Sequence, residues 1–529
     1  MKKMKMFILP VLALSLSLVS CARFDDDEEE EEQYVVDDTI VPDTSVSGTM
    51  KIRYFKRGFG DKWLYNVIET FQTKYPNVKV QATPSTEAKV VYGEIIGGVE
   101  TKYDLYMMEA SIMDYRDLFV SLDDVYNANA TDEEVTVKSK IEESYFQSCS
   151  DENGTFYTIP AYCGAYGYVY NRDFIDDNEV PVTTNEMVAL CNSLKNQSIT
   201  PLVFSGGDSS VYLNFLYSSF AAQYEGREAY LKAQEGRVWS AEQNKYVTDV
   251  SSAYLPGHVK ASEAVEALYW RTNNNASSQC VGYNANNAQI KILDTSNMTA
   301  MMFVGSWMMT EMASIIKGFE VDVDRFGMFK APVISSIIEK CQSIENDVEL
   351  SALVKAIDNG ATSLSGTGYE VTQDDFNRIK EARSFVYAGS EGSRFVITKK
   401  GQNPNLAKLF LKFWYSNYSI KAFNAAKAGC YIPLKVSTVD TTGMNNYLKD
   451  AYKILAESPK FFNTPAAFMA VTPYLYPENT TYEKAFGSPN ADDRKTTSQM
   501  LESKRATWTA NDNAKYKNEM ARHGYSLDE

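Results

Sequence analysis

From Thr49 onward, apolar and polar residues alternate on two periods that place secondary structure along the chain. Lys51-Ile52-Arg53-Tyr54-Phe55 is spaced as a strand. Trp63, Leu64, Val67, Ile68 and Phe71 recur at i, i+1, i+4, i+5 and i+8, one face of a helix that must stop before Pro76. Val78, Val80 and Ala82 alternate as a second strand, and Tyr103 to Met108 reads as a third. Strands separated by helices of this length predict parallel βαβ units. Ligands of such sheets gather beyond the carboxyl ends of the strands, which places Gly58 to Lys62 and Glu109 to Ser111 on a ligand-facing edge.

Further on, Phe156 to Pro160 runs into an extended, Tyr- and Gly-rich segment, Gly164 to Asp173. Alternation of Tyr162, Gly164, Tyr166, Tyr168 and Tyr170 predicts one lined sheet face. Helices are expected around Thr184–Leu194, Val211–Gln223 and Ser262–Thr272. Met301 to Val304 then reads as a strand that meets Gly305-Ser306-Trp307 at a turn into a helix. Residues 333–386 read as a helical insertion and Phe395 to Ile397 as a late strand. Asn403-Pro404 is placed to cap a helix bearing Leu406, Leu409, Phe410, Phe413 and Trp414.

Before Thr49 the pattern breaks. Lys2, Lys3 and Lys5 precede an apolar run from Phe7 to Val19, shorter than the ~20 residues that span a bilayer, so it reads as an export signal. Its end, Leu18-Val19-Ser20-Cys21, resembles a bacterial lipobox, which implies cleavage before Cys21 and lipid attachment there. An ordinary cleaved signal with an incidental cysteine is the alternative. Eight consecutive acids, Asp25 to Glu32, repel one another, so residues 21–48 are expected to form a solvated tether.

Composition narrows the function. The chain has 529 residues with 52 Lys+Arg against 69 Asp+Glu, an excess of acid that argues against a nucleic-acid surface. At 44% hydrophobic and 13% aromatic residues it can bury the core of two to four domains or one bilobal body. Two histidines, His258 and His523, leave little room for metal chemistry, and no cofactor motif is present. Gly366-Thr367-Gly368 lacks the Gly-Lys-Ser/Thr of a P-loop, and Met301, Met302, Met308, Met309 and Met312 read as core filler. Besides Cys21 there are Cys149, Cys163, Cys191, Cys280, Cys341 and Cys430, an even set with no C-x-x-C pair. Disulfides and buried free thiols are both open for them.

The order of segments resembles the extracellular solute-binding proteins of ABC importers, in the carbohydrate-binding class related to maltose-binding protein. Phe71 to Val80 is similar to the family's F-x-x-x-x-P-x-V-x-V opening, and Tyr103-Asp104-Leu105 to its P-D-V strand with Tyr for Pro. Tyr170-Asn171-Arg172-Asp173-Phe174 is similar to its Y-N-K-D-L crossover, and Ala300 to Trp307 to A-M-x-x-x-G-x-W. Asn403 to Phe413 resembles its late helix, and Gly429 to Pro433 its closing G-x-x-P. The resemblance implies an α/β, two-lobed periplasmic-binding-protein-like fold whose discontinuous lobes are joined by a hinge. One lobe would hold residues 49–160 and 388–434, the other 161–387 and 435–529. It further implies a receptor, lipid-anchored on the extracytoplasmic face of the cell membrane, that captures a sugar and delivers it to permease subunits, with no chemistry on the ligand.

A sugar offers hydroxyls at its rim and apolar C–H faces, so its site needs aromatic platforms and fixed polar groups. Trp307 matches the family's pocket tryptophan. Phe59, Trp63, Glu109, Ser111, Tyr162, Tyr166 and Tyr212 are the other ligand candidates, and Trp63 fits the helix core equally. Where Gly164 stands, maltose-type relatives often carry an acid. Two alternatives stay open: a surface-anchored carbohydrate-active enzyme, and a receptor of this fold for a non-sugar solute. For the enzyme, Ala388-Gly389-Ser390-Glu391-Gly392 falls one residue short of a nucleophile elbow, and only His523 follows it.

Overall fold

The computed structural model describes residues 34–97, 102–151, 153–207, 211–234, 236–249, 251–252, 255–364, 368, 370–387, 393–435, 439–456, 460–462 and 482–507. The signal, Cys21, the eight acids, the Ala388–Gly392 near-motif and His523 lie outside them. The first sheet is built from β1 (Ser47–Phe55), β2 (Asn77–Ser85) and β3 (Leu105–Glu109), completed later by β4 (Ile159–Tyr162). β1 pairs in parallel with both β2 and β3, as the helix-separated strands predict. Met50, Ile52 and Tyr54 of β1 are fully buried, and the helix Lys62–Lys74 turns Trp63, Leu64, Val67 and Phe71 inward. It ends at Tyr75, one residue before Pro76, where a missing N–H stops the ladder.

After β4 the chain changes sheets. β5 (Tyr166–Asn171), β6 (Thr200–Val203), β9 (Thr299–Gly305) and β10 (Phe326–Phe329) form a second sheet in the order β10-β5-β9-β6. A hairpin of β7 (Arg237–Ser240) and β8 (Lys245–Thr248) stands apart from both. β5 and β9 are buried at every position, so both faces of this sheet are covered. The single alternating face expected along Tyr162 to Tyr170 is therefore corrected: the segment breaks at Cys163 to Ala165 and its halves join different sheets. β11 (Phe385–Tyr387) pairs in parallel with β13 (Lys460–Phe462), while β12 (Ser393–Val396) returns to the first sheet, antiparallel between β3 and β4.

Three local expectations change. The ordered body begins before Thr49: Ile40 is buried, Asp43 N–H donates to Lys74 O, and the Lys74 ammonium donates to Val41 O. These bonds satisfy helix-end groups that would otherwise face water alone. Asn403 takes the N-cap position of its helix (Pro404–Trp414) with Pro404 at N1, as expected, but its side chain makes no cap hydrogen bond. Its N–H donates to Asp104 Oδ1 and its Nδ2 to Thr49 O, pinning the helix start to the sheet instead. The helix expected at Ser262 starts at Pro256, whose fixed φ suits a first turn, and ends at Tyr269. Within residues 333–386, helices Asp347–Asp358 and Gln373–Ser384 are joined by the Arg383–Asp358 ion pair. Thr183 Oγ1 donates to Asp347 and Ser351 Oγ to Glu186, tying the region to its surroundings. Cys149, Cys163, Cys191, Cys280, Cys341 and Cys430 are all free thiols. No helix among the described residues is long and apolar enough to cross a membrane.

Candidate functional site

The loop after β1 is shaped by short-range bonds. Gly60, at φ +63°, accepts from the Trp63 indole N–H through its carbonyl, and Asp61 accepts from Tyr54 Oη at 2.6 Å. This fixes Phe59, which is only 5% exposed, against the second sheet. Its ring meets Tyr162 edge-on at 5.4 Å and Trp307 at 5.0 Å. Its tip lies over Gly164, where an added Cβ would come within 2.4 Å of Phe59 Cζ. Gly164 is thus the residue that lets the ring reach the crossover, the kind of close approach only glycine allows.

Trp307 follows β9 and is 8% exposed. Its ring folds back over Gly305, where a Cβ would stand 2.0 Å from the indole, and abuts Gly58, where a Cβ would stand 2.5 Å from it. On its other side Tyr166 meets it edge-on at 5.0 Å, and Tyr166 in turn contacts Phe215 at 4.7 Å and Tyr212 at 5.8 Å. Tyr212, at the start of helix Val211–Glu225, is half-buried. The structure therefore joins six of the sequence candidates in one continuous aromatic run: Trp63, Tyr162, Phe59, Trp307, Tyr166, Tyr212. Trp63 is its inner end, packed on Trp414 and Phe423 within the first sheet's helices. Glu109 closes β3 and Ser111 lies in the following 3-10 turn; the side chains of both fall outside the described residues.

Sequence reading missed the polar half of this place. Glu311 lies one helical turn after Trp307, on helix Met308–Glu311. Its carboxylate accepts from Gln289 Nε2 at 2.8 Å and from the Trp307 side chain. Gln289 is fully buried, and its Oε1 has no hydrogen-bond partner among the described residues. Glu311 itself is exposed along one side yet flanked by enough protein for desolvation to raise its carboxyl above the ordinary value. The i, i+4 spacing from Trp307 was the available signal for Glu311. Gln289, on a separate helix, had none.

Beneath the aromatic run, Ser306 ties the chain crossings together. Its N–H donates to Ala165 O, its Oγ accepts from Ala165 N and donates to Gly429 O at 2.6 Å. Cys163 and Tyr431 exchange both backbone bonds, and Tyr447 Oη and Tyr452 Oη donate to Gly305 O and Cys430 O. Two surface concavities, around Asp294 to Arg325 and around Asn129 to Glu134, contain no member of the aromatic run. The rings pack on one another and are nearly all buried, with half-buried Tyr212 and the Glu311 carboxylate reaching the surface, and no group of three or more potential metal ligands occurs among the described residues.

Known proteins share this architecture. The bacterial solute receptor AcbH, described as having an exclusive preference for b-D-galactopyranose, superposes with a TM-score of 0.56 at 14% identity, covering 87% of this chain and 99% of its own. The GacH receptor of Streptomyces glaucescens, solved unliganded and with acarbose, gives 0.54 at 15% identity, covering 90% and 99%. Maltose-bound MalE3 of T. maritima gives 0.51 at 15% identity, covering 87% and 100%. At these identities the likeness is one of fold, the two-lobed α/β fold of binding proteins. Comparison with curated protein sequences finds no match. The profile of bacterial extracellular solute-binding proteins matches residues 58–339, more than half of the chain and a span that takes in Phe59, Tyr166, Gln289, Trp307 and Glu311. The chain belongs to the bacterial extracellular solute-binding protein family.

Proposed function

We propose that the protein is a lipid-anchored receptor that captures a carbohydrate between its lobes and hands it to the permease of an ABC importer. The observation that carries the sugar is the aromatic run through Phe59, Trp307, Tyr166 and Tyr212 beside the Glu311–Gln289 pair. π faces suit the C–H faces of a pyranose, and a carboxylate and a carboxamide suit its hydroxyls. AcbH, GacH and MalE3, which share the fold, are described with galactopyranose, acarbose and maltose. The lobes follow the sequence boundaries, 49–160 with 388–434 and 161–387 with 435–529, the first extended back to Val36. They close by rotation about the crossings that Ser306 and the Cys163–Tyr431 pair hold together. Cys21 carries the lipid, and the acids after it space the receptor from the membrane.

A panel of mono- and oligosaccharides, polyamines, peptides and phosphate esters, assayed for thermal stabilisation and for turnover, tests this reading. Saturable stabilisation by one sugar class without turnover is expected. Product release from an oligosaccharide favours the enzyme alternative, and stabilisation only by a non-sugar favours the other receptor.

A further inference from the structure

Arg394, in β12, is fully buried. Nη2 donates to Ser148 Oγ at 2.7 Å, and the group lies 4.9 Å over the Tyr145 ring. Nε and Nη1 have no hydrogen-bond partner among the described residues. No carboxylate forms an ion pair with it among the described residues. The side chains whose ionisation its charge bears on are phenols and a thiol: Tyr126, Tyr145, Cys163 and Tyr415. Burial pushes all four upward, so they stay neutral and cannot balance it.

A second unsatisfied group stands beside it. Thr158 is fully buried, and its Oγ1 also has no partner among the described residues. Its N–H donates to Cys149 O, next along the chain from Ser148. Thr158 precedes β4 by one residue, next to Ile159, which pairs with Phe395, the neighbour of Arg394. Among the described residues, the place thus gathers two guanidinium nitrogens and a hydroxyl without partners beside a positive charge that no carboxylate pairs. A lone buried ion is strongly unfavourable, and a buried guanidinium is normally found paired.

We propose that Arg394 Nε and Nη1, with Thr158 Oγ1, form a buried binding site for a small inorganic monovalent anion of halide size, while Ser148, whose hydroxyl proton goes to Tyr145 O, holds Nη2 in place. Size follows from the enclosure: Tyr126, Tyr145 and Tyr415 are themselves buried around it, which leaves no way in for an organic acid. The site lies under the Cys163–Tyr431 crossing and is separate from the aromatic run.

The test uses the full chain in sodium chloride, bromide or gluconate at one ionic strength. A saturable rise in Tm of about 3 °C with the halides and none with gluconate is expected. Crystals grown in bromide are expected to give an anomalous peak within hydrogen-bond distance of Arg394 Nε or Nη1. Arg394→Met should remove the halide dependence; if that variant fails to fold, the wild-type halide series and the anomalous map decide. A Tm indifferent to the choice of anion, or a map with water and no bromide at the guanidinium, overturns the proposal.

Discussion

The Phe59 ring, carried by the first sheet, meets the Trp307 ring, carried by the second, at 5.0 Å and 67°. Neither side chain is placed by its own sheet alone. Each fits because a glycine stands opposite: Gly164 beneath Phe59 and Gly58 beside Trp307. The contact is therefore a gauge of how the two sheets approach each other.

Trp307→Ala is expected to weaken sugar binding about tenfold or more, since a stacked aromatic contributes on the order of 1 kcal/mol beyond its buried area. Trp307→Phe should keep part of that affinity, because it retains a π face while losing the indole donor to Glu311. Titration calorimetry on both variants checks this. Equal affinity in Trp307→Ala and wild type would remove the ring from the site.

Gly164→Ala places a methyl 2.4 Å from Phe59 Cζ and 2.9 Å from Ser306 Oγ. The ring must move, so binding is expected to weaken about fivefold with a small loss of stability. Adding Phe59→Ala should relieve the clash, making the double variant's loss smaller than the sum of the two single losses. Additive losses in that cycle would show that the Phe59–Gly164 fit plays no part in binding.

Much of this arrangement was legible in the chain because it rests on local rules. The Trp63-to-Phe71 face follows from period 3.6, and Gly305-Ser306-Trp307 follows from a strand ending in a turn. What was not legible depends on distant partners. Gln289 and Glu311 meet at 2.8 Å from separate helices, and nothing near Gln289 in sequence marks it as facing an acid. The break at Cys163 was hidden because aromatic residues continue through it while the strand changes sheets. Tyr34 to Gly48 read as tether because its scattered apolar residues follow neither a strand nor a helix period, and only Ile40 among them is buried.

Glu311 gives binding a pH signature. Desolvation raises its carboxyl, so it takes up a proton at higher pH than an ordinary glutamate. An acceptor for sugar hydroxyls is then lost as pH falls, beginning at higher pH than for an ordinary glutamate, and affinity should drop with it. Stability of the ligand-free protein carries the opposite sign, because a raised carboxyl favours the fold more as it becomes neutral. Glu311→Gln is expected to flatten the affinity profile and to leave the free protein slightly more stable at pH 7. An unchanged slope in that variant would assign the pH dependence elsewhere.

His258 governs a different acid response, one of the fold itself. It is 2% exposed in helix Pro256–Tyr269, its Nδ1 lies 2.7 Å from Tyr217 Oη, and Nε2 has no hydrogen-bond partner among the described residues. Burial alone pulls its pKa down from 6.5 to about 3, so the folded chain keeps the ring neutral well into acid. The unfolded chain binds that proton from about pH 6.5 downward. Stability from this group is thus complete above pH 6.5 and is lost as pH falls toward 3, amounting to about 2 kcal/mol between pH 6.5 and 5. Denaturant unfolding of the wild type and of His258→Gln at pH 7.5 and 5 separates this from the carboxylates. The variant pays its packing cost at both pH values but should lose about 2 kcal/mol less than the wild type on acidification. Parallel losses in the two proteins would mean that the ring is already charged in the fold or that water reaches Nε2.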